Sequence, residues 1–195
     1  MQSTGDLAFI VDGFLPADAL EALRNNTFSR AGEFEVSRLG GGRSDPGRVD
    51  PQVRRSRVLY HVGAAGDDFV RRARHLLPTA LTALGLRPLP IARIQLQATS
   101  TNDGEFFRPH RDNRHPESMR RWLSFTFFLH RQPRAFTGGE LRIQHDGGDG
   151  WSSIEPETNR IVMFPPGVLH EIATVACPSG AFEDSRLTLN GWIVR

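Results

Sequence analysis

IARIQLQAT (91–99), EFFRPH (105–110), RWLSFTFFLH (121–130), GELRIQH (139–145), NRIVMFP (159–165), HEIATV (170–175) and SRLTLNGWIVR (185–195) follow one another with no helical run between them. Each is short, rich in β-branched or aromatic residues, and closed by a turn. The turns are TNDG (101–104), the Thr137-Gly138-Gly139 step, HDGGDG (145–150) and Pro165-Pro166-Gly167. Seven or eight strands at this spacing predict a jelly roll or sandwich for the C-terminal half.

The stretch EFFRPHRDN (105–113) carries His110 and Asp112 two residues apart, so on extended chain both side chains leave the same face. An imidazole nitrogen and a carboxylate oxygen on one face can take adjacent positions on a metal. A third ligand must come from elsewhere, and VMFPPGVLHEIATV (162–175) offers His170 just after the Pro-Pro-Gly turn. Two histidines and a carboxylate bound from one side leave open positions, the facial triad of non-heme iron(II) oxygenases. The last strand offers something to hold there: Arg186, Thr188, Asn190 and Trp192 share one face, and a guanidinium fork beside a hydroxyl or amide suits a carboxylate.

Each residue alone has a plainer role. HxD pairs occur by chance, His170 could be a hydrogen-bonded strand-end histidine, and Arg186 a buried salt-bridge partner. The ordered set carries the assignment. His115 is the one competing ligand; His61, His75, His130 and His145 read as surface or packing residues. HEIAT (170–174) is not HExxH, which excludes a zinc-protease reading.

Taken together, EFFRPHRDN, FTGGELRI (136–143) and NRIVMFPPGVLHEIATV (159–175) followed by SRLTLNGW resemble the prolyl-4-hydroxylase-like branch of the iron(II)/2-oxoglutarate dioxygenases. The resemblance implies an α+β, mainly β fold: a double-stranded β-helix with N-terminal helices packed against the major sheet. It implies iron(II) on His110, Asp112 and His170, and 2-oxoglutarate as cosubstrate with its C5 carboxylate on Arg186. Thr188 and Asn190 join the cosubstrate contacts, dioxygen is the oxidant, and ascorbate is a candidate stimulant. The implied reaction is hydroxylation of an unactivated C–H bond with release of succinate and carbon dioxide. An amino-acid or peptidyl substrate of the proline type is expected. The alternatives are an oxygenase of another small metabolite and a non-catalytic β-helix that binds a ligand.

Two departures accompany the resemblance. Relatives commonly carry a tyrosine against 2-oxoglutarate, shortly before HxD or on the following strand. The one tyrosine here is Tyr60, and the matching stretches read LQATST (96–101) and SFTFFL (124–129). Hydroxyls of Thr188, Ser124 or Ser100, or the amide of Asn190, are the candidate substitutes. The segment EIATVACPSGAFEDS (171–185) is longer than the gap in many relatives, which implies an added hairpin loop. Asp112 stands where related halogenases carry a small residue, which argues against halogenation.

Outward from this core, the chain reads as one domain over residues 1–195, with 1–90 as helical and loop support and 91–195 as the core holding the metal site. FIVDGFLP (9–16) predicts a short strand and ADALEALRN (17–25) an amphipathic helix. Apolar residues at helical spacing predict a second helix over about 67–84, which Pro78 would kink or break. Residues 37–56 predict a long loop that borders the active-site mouth together with Arg114–Arg121. The arginines of these two segments, with Trp122 and Trp192, read equally as carboxylate or peptide readers and as solvated loop residues. The clusters Arg54, Arg55, Arg57 and Arg71, Arg72, Arg74 read as solvated surface.

Composition narrows the classes. A net charge of +2 gives no nucleic-acid footprint, and the 24 basic residues are all arginine. The single cysteine, Cys177, allows neither an internal disulfide nor a zinc knuckle and reads as a half-buried apolar residue. No apolar run approaches the roughly 20 residues of a membrane span. The N-terminus has no signal-peptide pattern, so no membrane and a cytoplasmic location are expected.

Overall fold

The structure is a computed structural model that describes residues 2–4, 7–40, 47–145 and 148–195. The first third supplies β1 (Gln2–Thr4), β2 (Ala8–Val11), α1 (Ala17–Phe28), β3 (Glu35–Val36), β4 (Arg54–Arg55), β5 (Arg57–Leu59) and α2 (Ala64–Ala83). Strands then dominate: β6 (Arg93–Thr101), β7 (Phe106–His110), β8 (Arg121–Phe128), β9 (Thr137–Gly138) and β10 (Leu141–Gln144). They continue with β11 (Trp151–Ile154), β12 (Ile161–Phe164), β13 (His170–Ile172), β14 (Val175–Ala176) and β15 (Arg186–Val194).

Two sheets face each other. The larger has eight strands in the order β1-β2-β12-β8-β15-β6-β5-β3, the smaller five in the order β11-β10-β13-β7-β4. This is the double-stranded β-helix expected from the sequence. Its backbone is the nine-residue antiparallel pairing of β15 with β6, from Arg186 opposite Thr101 to Val194 opposite Arg93.

Strand alternation decides what goes to each side of the large sheet. Ala98, Leu123, Phe125, Phe127, Leu187, Leu189 and Ile193 point outward, where Leu23 of α1 and Phe69, Ala73, Leu77 and Ala80 of α2 cover them. The opposite phase points between the sheets. At one end Ile10, Phe128, Leu141, Ile143, Val162 and Phe164 fill that space with apolar packing. At the other end the same phase carries polar side chains, and there the site lies.

Several local expectations shift. The helix at 64–83 runs unbroken through Pro78, which sits with Arg74 on the exposed face. The first third is not only helix and loop: β3, β4 and β5 add to the edges of both sheets. These strands are two or three residues long, too short for any apolar period to show in the sequence. Of the loop at 37–56, residues 41–46 lie outside the described part, as do 146 and 147 of the HDGGDG turn. The segment between His170 and Arg186 forms β14, paired with β9, and a 3₁₀ turn at Phe182–Asp184 rather than a simple hairpin. Cys177 is completely buried beside Phe136 and Val175.

Candidate active site

His110 and His170 are direct cross-strand partners in the antiparallel pairing of β7 with β13. Asp112 lies just past the end of β7, and its amide donates to the Pro166 carbonyl at 2.8 Å, which ties it to the Pro-Pro-Gly turn. The three ligand atoms lie within 4.8 Å of one another. His110 Nε2 is 3.7 Å from Asp112 Oδ1, and His170 Nε2 is 3.7 Å from Asp112 Oδ2. Neighbouring ligands on a metal with bonds of about 2.1 Å sit roughly 3 Å apart, so a small inward movement of each closes the set.

The backbone fixes which nitrogen faces the metal position. Nδ1 of His110 sits 2.9 Å from the Arg108 carbonyl, and Nδ1 of His170 2.9 Å from the Val168 carbonyl. A carbonyl can only accept, so the proton is on Nδ1 and the Nε2 lone pairs face each other across Asp112. Phe107 stacks on His110 at 3.5 Å between centroids, and Phe164 meets His170 edge-on at 4.7 Å, locking both rings. Burial, with His170 beside it, pulls His110 down to a pKa of about 3. Burial works to raise Asp112, but the two imidazoles and hydrogen bonds from Ser124 and Trp192 outweigh it and hold the carboxyl below its usual range. Ser124 Oγ donates to Asp112 Oδ2 at 2.7 Å.

Arg186 lines the same pocket. It is 2 % exposed; its Nε donates to the Gly139 carbonyl at 2.6 Å and its guanidinium lies 5.0 Å over the Phe128 ring. Nη2 is buried with no hydrogen-bond partner. Burial lowers its pKa to about 9, still cationic at neutral pH. A buried guanidinium with an unsatisfied donor turned into a polar pocket is fitted to an anion. Two imidazole lone pairs and a carboxylate at one end, and this cation in the same cavity, fit a metal ion with a carboxylate-bearing chelator.

Asn190 lines the pocket, and its amide ties three strands together. Its Oδ1 accepts from Thr126 Oγ1 at 3.0 Å, and its Nδ2 donates to Thr99 Oγ1 and Thr188 Oγ1, each at 2.9 Å. Thr188 is fully buried behind it. Among the candidate substitutes for the tyrosine, Ser124 is engaged with Asp112. Ser100 is out of phase: β6 presents Gln97, Thr99 and Thr101 to the pocket and turns Ser100 away with Ala98. Tyr60 is 46 % exposed and reaches only the outer cleft. His115 also lies in that cleft and does not join the ligand cluster.

Arg54 is the residue that sequence reasoning missed. It is not solvated surface: it lines both the pocket and the cleft above it, with its guanidinium 4.7 Å over Phe107. Its Nε donates to Ser56 Oγ at 2.8 Å, and burial lowers its pKa to about 10. The strand that inserts it, β4, is two residues long, so the sequence carries no periodic signal for it. The expected mouth does form, since Arg38, Leu39 and Gly40 from one loop and Arg114, His115 and Ser118 from the other line the cleft.

Comparison with known proteins agrees with this geometry. Residues 94–194 match the family model of the 2OG-Fe(II) oxygenase superfamily. An uncharacterized PKHD-type hydroxylase from Synechocystis is 34 % identical over 152 residues, covering 73 % of this chain and 50 % of that protein. The chain thus spans about half the length of that curated relative. A Pseudomonas putida prolyl-4-hydroxylase superposes with a TM-score of 0.74 at 24 % identity, covering 97 % of this chain and 92 % of the other. A Trichoplax adhaerens prolyl hydroxylase, solved with a hypoxia inducible factor peptide fragment, superposes with a TM-score of 0.76 at 14 % identity, covering 97 % and 84 %. At these identities the solved structures speak for the fold alone. The match to the family model covers the strands from β6 to β15 and both ends of the pocket, and the chain belongs to the 2OG-Fe(II) oxygenase superfamily.

Proposed function

We propose that this chain is a single oxygenase domain that hydroxylates an unactivated C–H bond, with iron(II) on His110, Asp112 and His170 and the C5 carboxylate of 2-oxoglutarate on Arg186. The observation that carries it is one pocket holding three convergent ligand atoms and, in the same cavity, a buried guanidinium with an unpartnered nitrogen. Bound there, iron(II) and 2-oxoglutarate supply the activation of dioxygen, with succinate and carbon dioxide as coproducts.

The chain's own part is geometry and electrostatics. The Arg108 and Val168 carbonyls keep both imidazoles in the ligating tautomer. Ser124 fixes the rotation of the Asp112 carboxylate. Arg186 sets the register of the keto acid, Asn190 places an amide in the same pocket, and Thr188 holds Asn190 in place. Phe107, Phe164, Leu141 and Ile172 line the pocket and exclude water around the reacting centre.

The favoured substrate is an amino acid or peptidyl residue of the proline type. This rests on the family, and on fold neighbours described as prolyl hydroxylases. Adding iron(II) and 2-oxoglutarate without oxygen is expected to produce a visible charge-transfer band, and admitting oxygen to yield succinate. A protein that neither binds iron nor forms succinate across a panel of amino acids and peptides defeats the proposal.

A further inference from the structure

The cleft above the pocket is charged in one sense. Arg38, Arg54, Arg93, Arg111, Arg114 and Arg121 line it, and outside the metal triad the one acid that does so is Glu35. Elsewhere on the described surface, arginines are commonly neutralised: Arg30, Arg48, Arg71, Arg72, Arg131, Arg134, Arg142 and Arg160 each pair with a carboxylate. None of the six cleft arginines does so among the described residues. Four are instead held by neutral acceptors, Arg38 by the Gly47 carbonyl at 3.3 Å and Arg54 by Ser56 Oγ at 2.8 Å among them. Arg121 bonds the Asp112 carbonyl at 3.0 Å and lies 3.7 Å over Trp192, and Arg111 bonds the Gly167 carbonyl. Asp112 favours the charge of Arg121 and of Arg54 from a distance, but no carboxylate pairs directly with a cleft arginine among the described residues.

Arg54 is the innermost of the six and the one that also lines the pocket. One edge of its fork is taken by Ser56 and one face lies on Phe107, which stacks on His110. Its terminal nitrogens carry no hydrogen bond among the described residues, and burial lowers its pKa. A half-buried cation with no ion-pair partner at the floor of the cleft gains a charge-assisted hydrogen bond when an anion joins it. Unpaired arginines converging on one cleft also draw anions in and repel cations.

We infer that the substrate carries a carboxylate, seated on Arg54 within about two residues' span of the carbon that is oxidised. The inference rests on the functional reading above and names the substrate class for that same site. The carboxylate can be the α-carboxylate of a free amino acid or an acidic side chain flanking the target in a polypeptide. The remaining arginines draw either one toward the cleft.

Two matched pairs of probes test this on the full chain loaded with manganese(II) and 2-oxoglutarate. One pair is N-acetyl-L-proline and N-acetyl-L-prolinamide; the other is a capped proline peptide flanked by glutamates and the same peptide with glutamines. Binding is read by calorimetry and by the fluorescence change of Trp192, the tryptophan that lines the cleft, Trp122 being packed against the core instead. In at least one pair the acid is expected to bind at least about tenfold more tightly than its amide partner. Raising the ionic strength from about 0.05 to about 0.3 M should shrink that preference. Arg54→Gln should abolish it, whereas Arg74→Gln, on the exposed face of α2, should keep it. The pair that discriminates identifies the source of the carboxylate. Equal binding of acid and amide in both pairs, no binding of any probe to the loaded protein, or a preference that survives Arg54→Gln overturns the inference alone. Failure to load manganese(II) and 2-oxoglutarate sinks the functional reading and this inference with it.

Discussion

Gly139 lies so close to Arg186 that a Cβ on the glycine would meet Arg186 Cδ at 2.6 Å, and the Gly139 carbonyl accepts the 2.6 Å hydrogen bond from Arg186 Nε. The glycine sits at φ +73°, in the left-handed region where its carbonyl can turn toward the guanidinium. The two residues are 47 positions apart, so the FTGGELRI stretch supplies no proposed ligand of its own yet aims the guanidinium proposed to hold the cosubstrate.

Gly139→Ala therefore combines an unfavourable backbone conformation, costing roughly 1–3 kcal/mol, with a collision against the arginine stem. The 2-oxoglutarate concentration at half-saturation is expected to rise at least about tenfold, the equivalent of about 1.4 kcal/mol, while iron binding persists. Titrating 2-oxoglutarate against succinate formation checks this, with metal binding measured in parallel. An unchanged cosubstrate requirement would show that Gly139 does not position Arg186.

Ser124 separates a ligand from its support. Asp112→Ala removes one of the three proposed ligands, and metal binding is expected to be lost. Ser124→Ala leaves the ligand set intact but frees the carboxylate that Ser124 holds at 2.7 Å. Groups that orient metal ligands in this way are typically worth 10–100-fold in affinity, and a weakening of that order is expected. Equilibrium metal titration of both variants distinguishes the two; equal loss in both would make Ser124 a structural residue.

The parts of this design legible in the sequence are those with a short period or an unusual local spacing. Strand alternation marks which residues of β6, β8 and β15 face the pocket, and HxD with a later His-Arg order marks both of its ends. What the sequence hides is phase and edge. Ser100 reads as a candidate hydroxyl donor until the register of β6 against β15 sets Thr99 opposite Thr188 and turns Ser100 away from the pocket. Arg54 stands in a Gly-, Pro- and Arg-rich loop and becomes a pocket residue only because β4 pairs with β7, with Arg54 opposite Phe107. Long-range pairing of that kind has no local signature.

Asn190 gives a prediction that joins stability to cosubstrate binding. Its amide exchanges hydrogen bonds with Thr126, Thr99 and Thr188, on β8, β6 and β15. Asn190→Ala leaves these hydroxyls without the amide, at a cost of about 1–3 kcal/mol. The expected thermal shift is a fall of roughly 2–4 °C per kcal/mol. The 2-oxoglutarate requirement should rise, but less than in Arg186→Ala, because the charge remains. A larger effect on cosubstrate than that of Arg186→Ala would reverse the assigned roles.

His130 carries the last prediction, and it concerns acid. The ring is 1 % exposed, meets Phe136 edge-on at 4.9 Å, and neither nitrogen has a hydrogen-bond partner. Burial, followed by the charges of Arg186, Arg134 and Arg24, lowers its pKa to about 3. The unfolded chain takes up this proton near about 6.5. Between those two values the unfolded state binds more protons, so stability falls as the pH drops, by up to roughly 1.4 kcal/mol per unit for this group. His110, also near a pKa of 3, acts in the same direction in metal-free protein. His130→Leu keeps an apolar side chain in the same space and removes both orphaned nitrogens. Its melting temperature near pH 7.5 is expected to match or exceed the parent's, and to fall less steeply toward about pH 4.5. Melting curves across that range decide it: a slope parallel to the parent's, or a loss beyond about 2 kcal/mol at neutral pH, would mean that the imidazole makes a bond its buried position does not reveal.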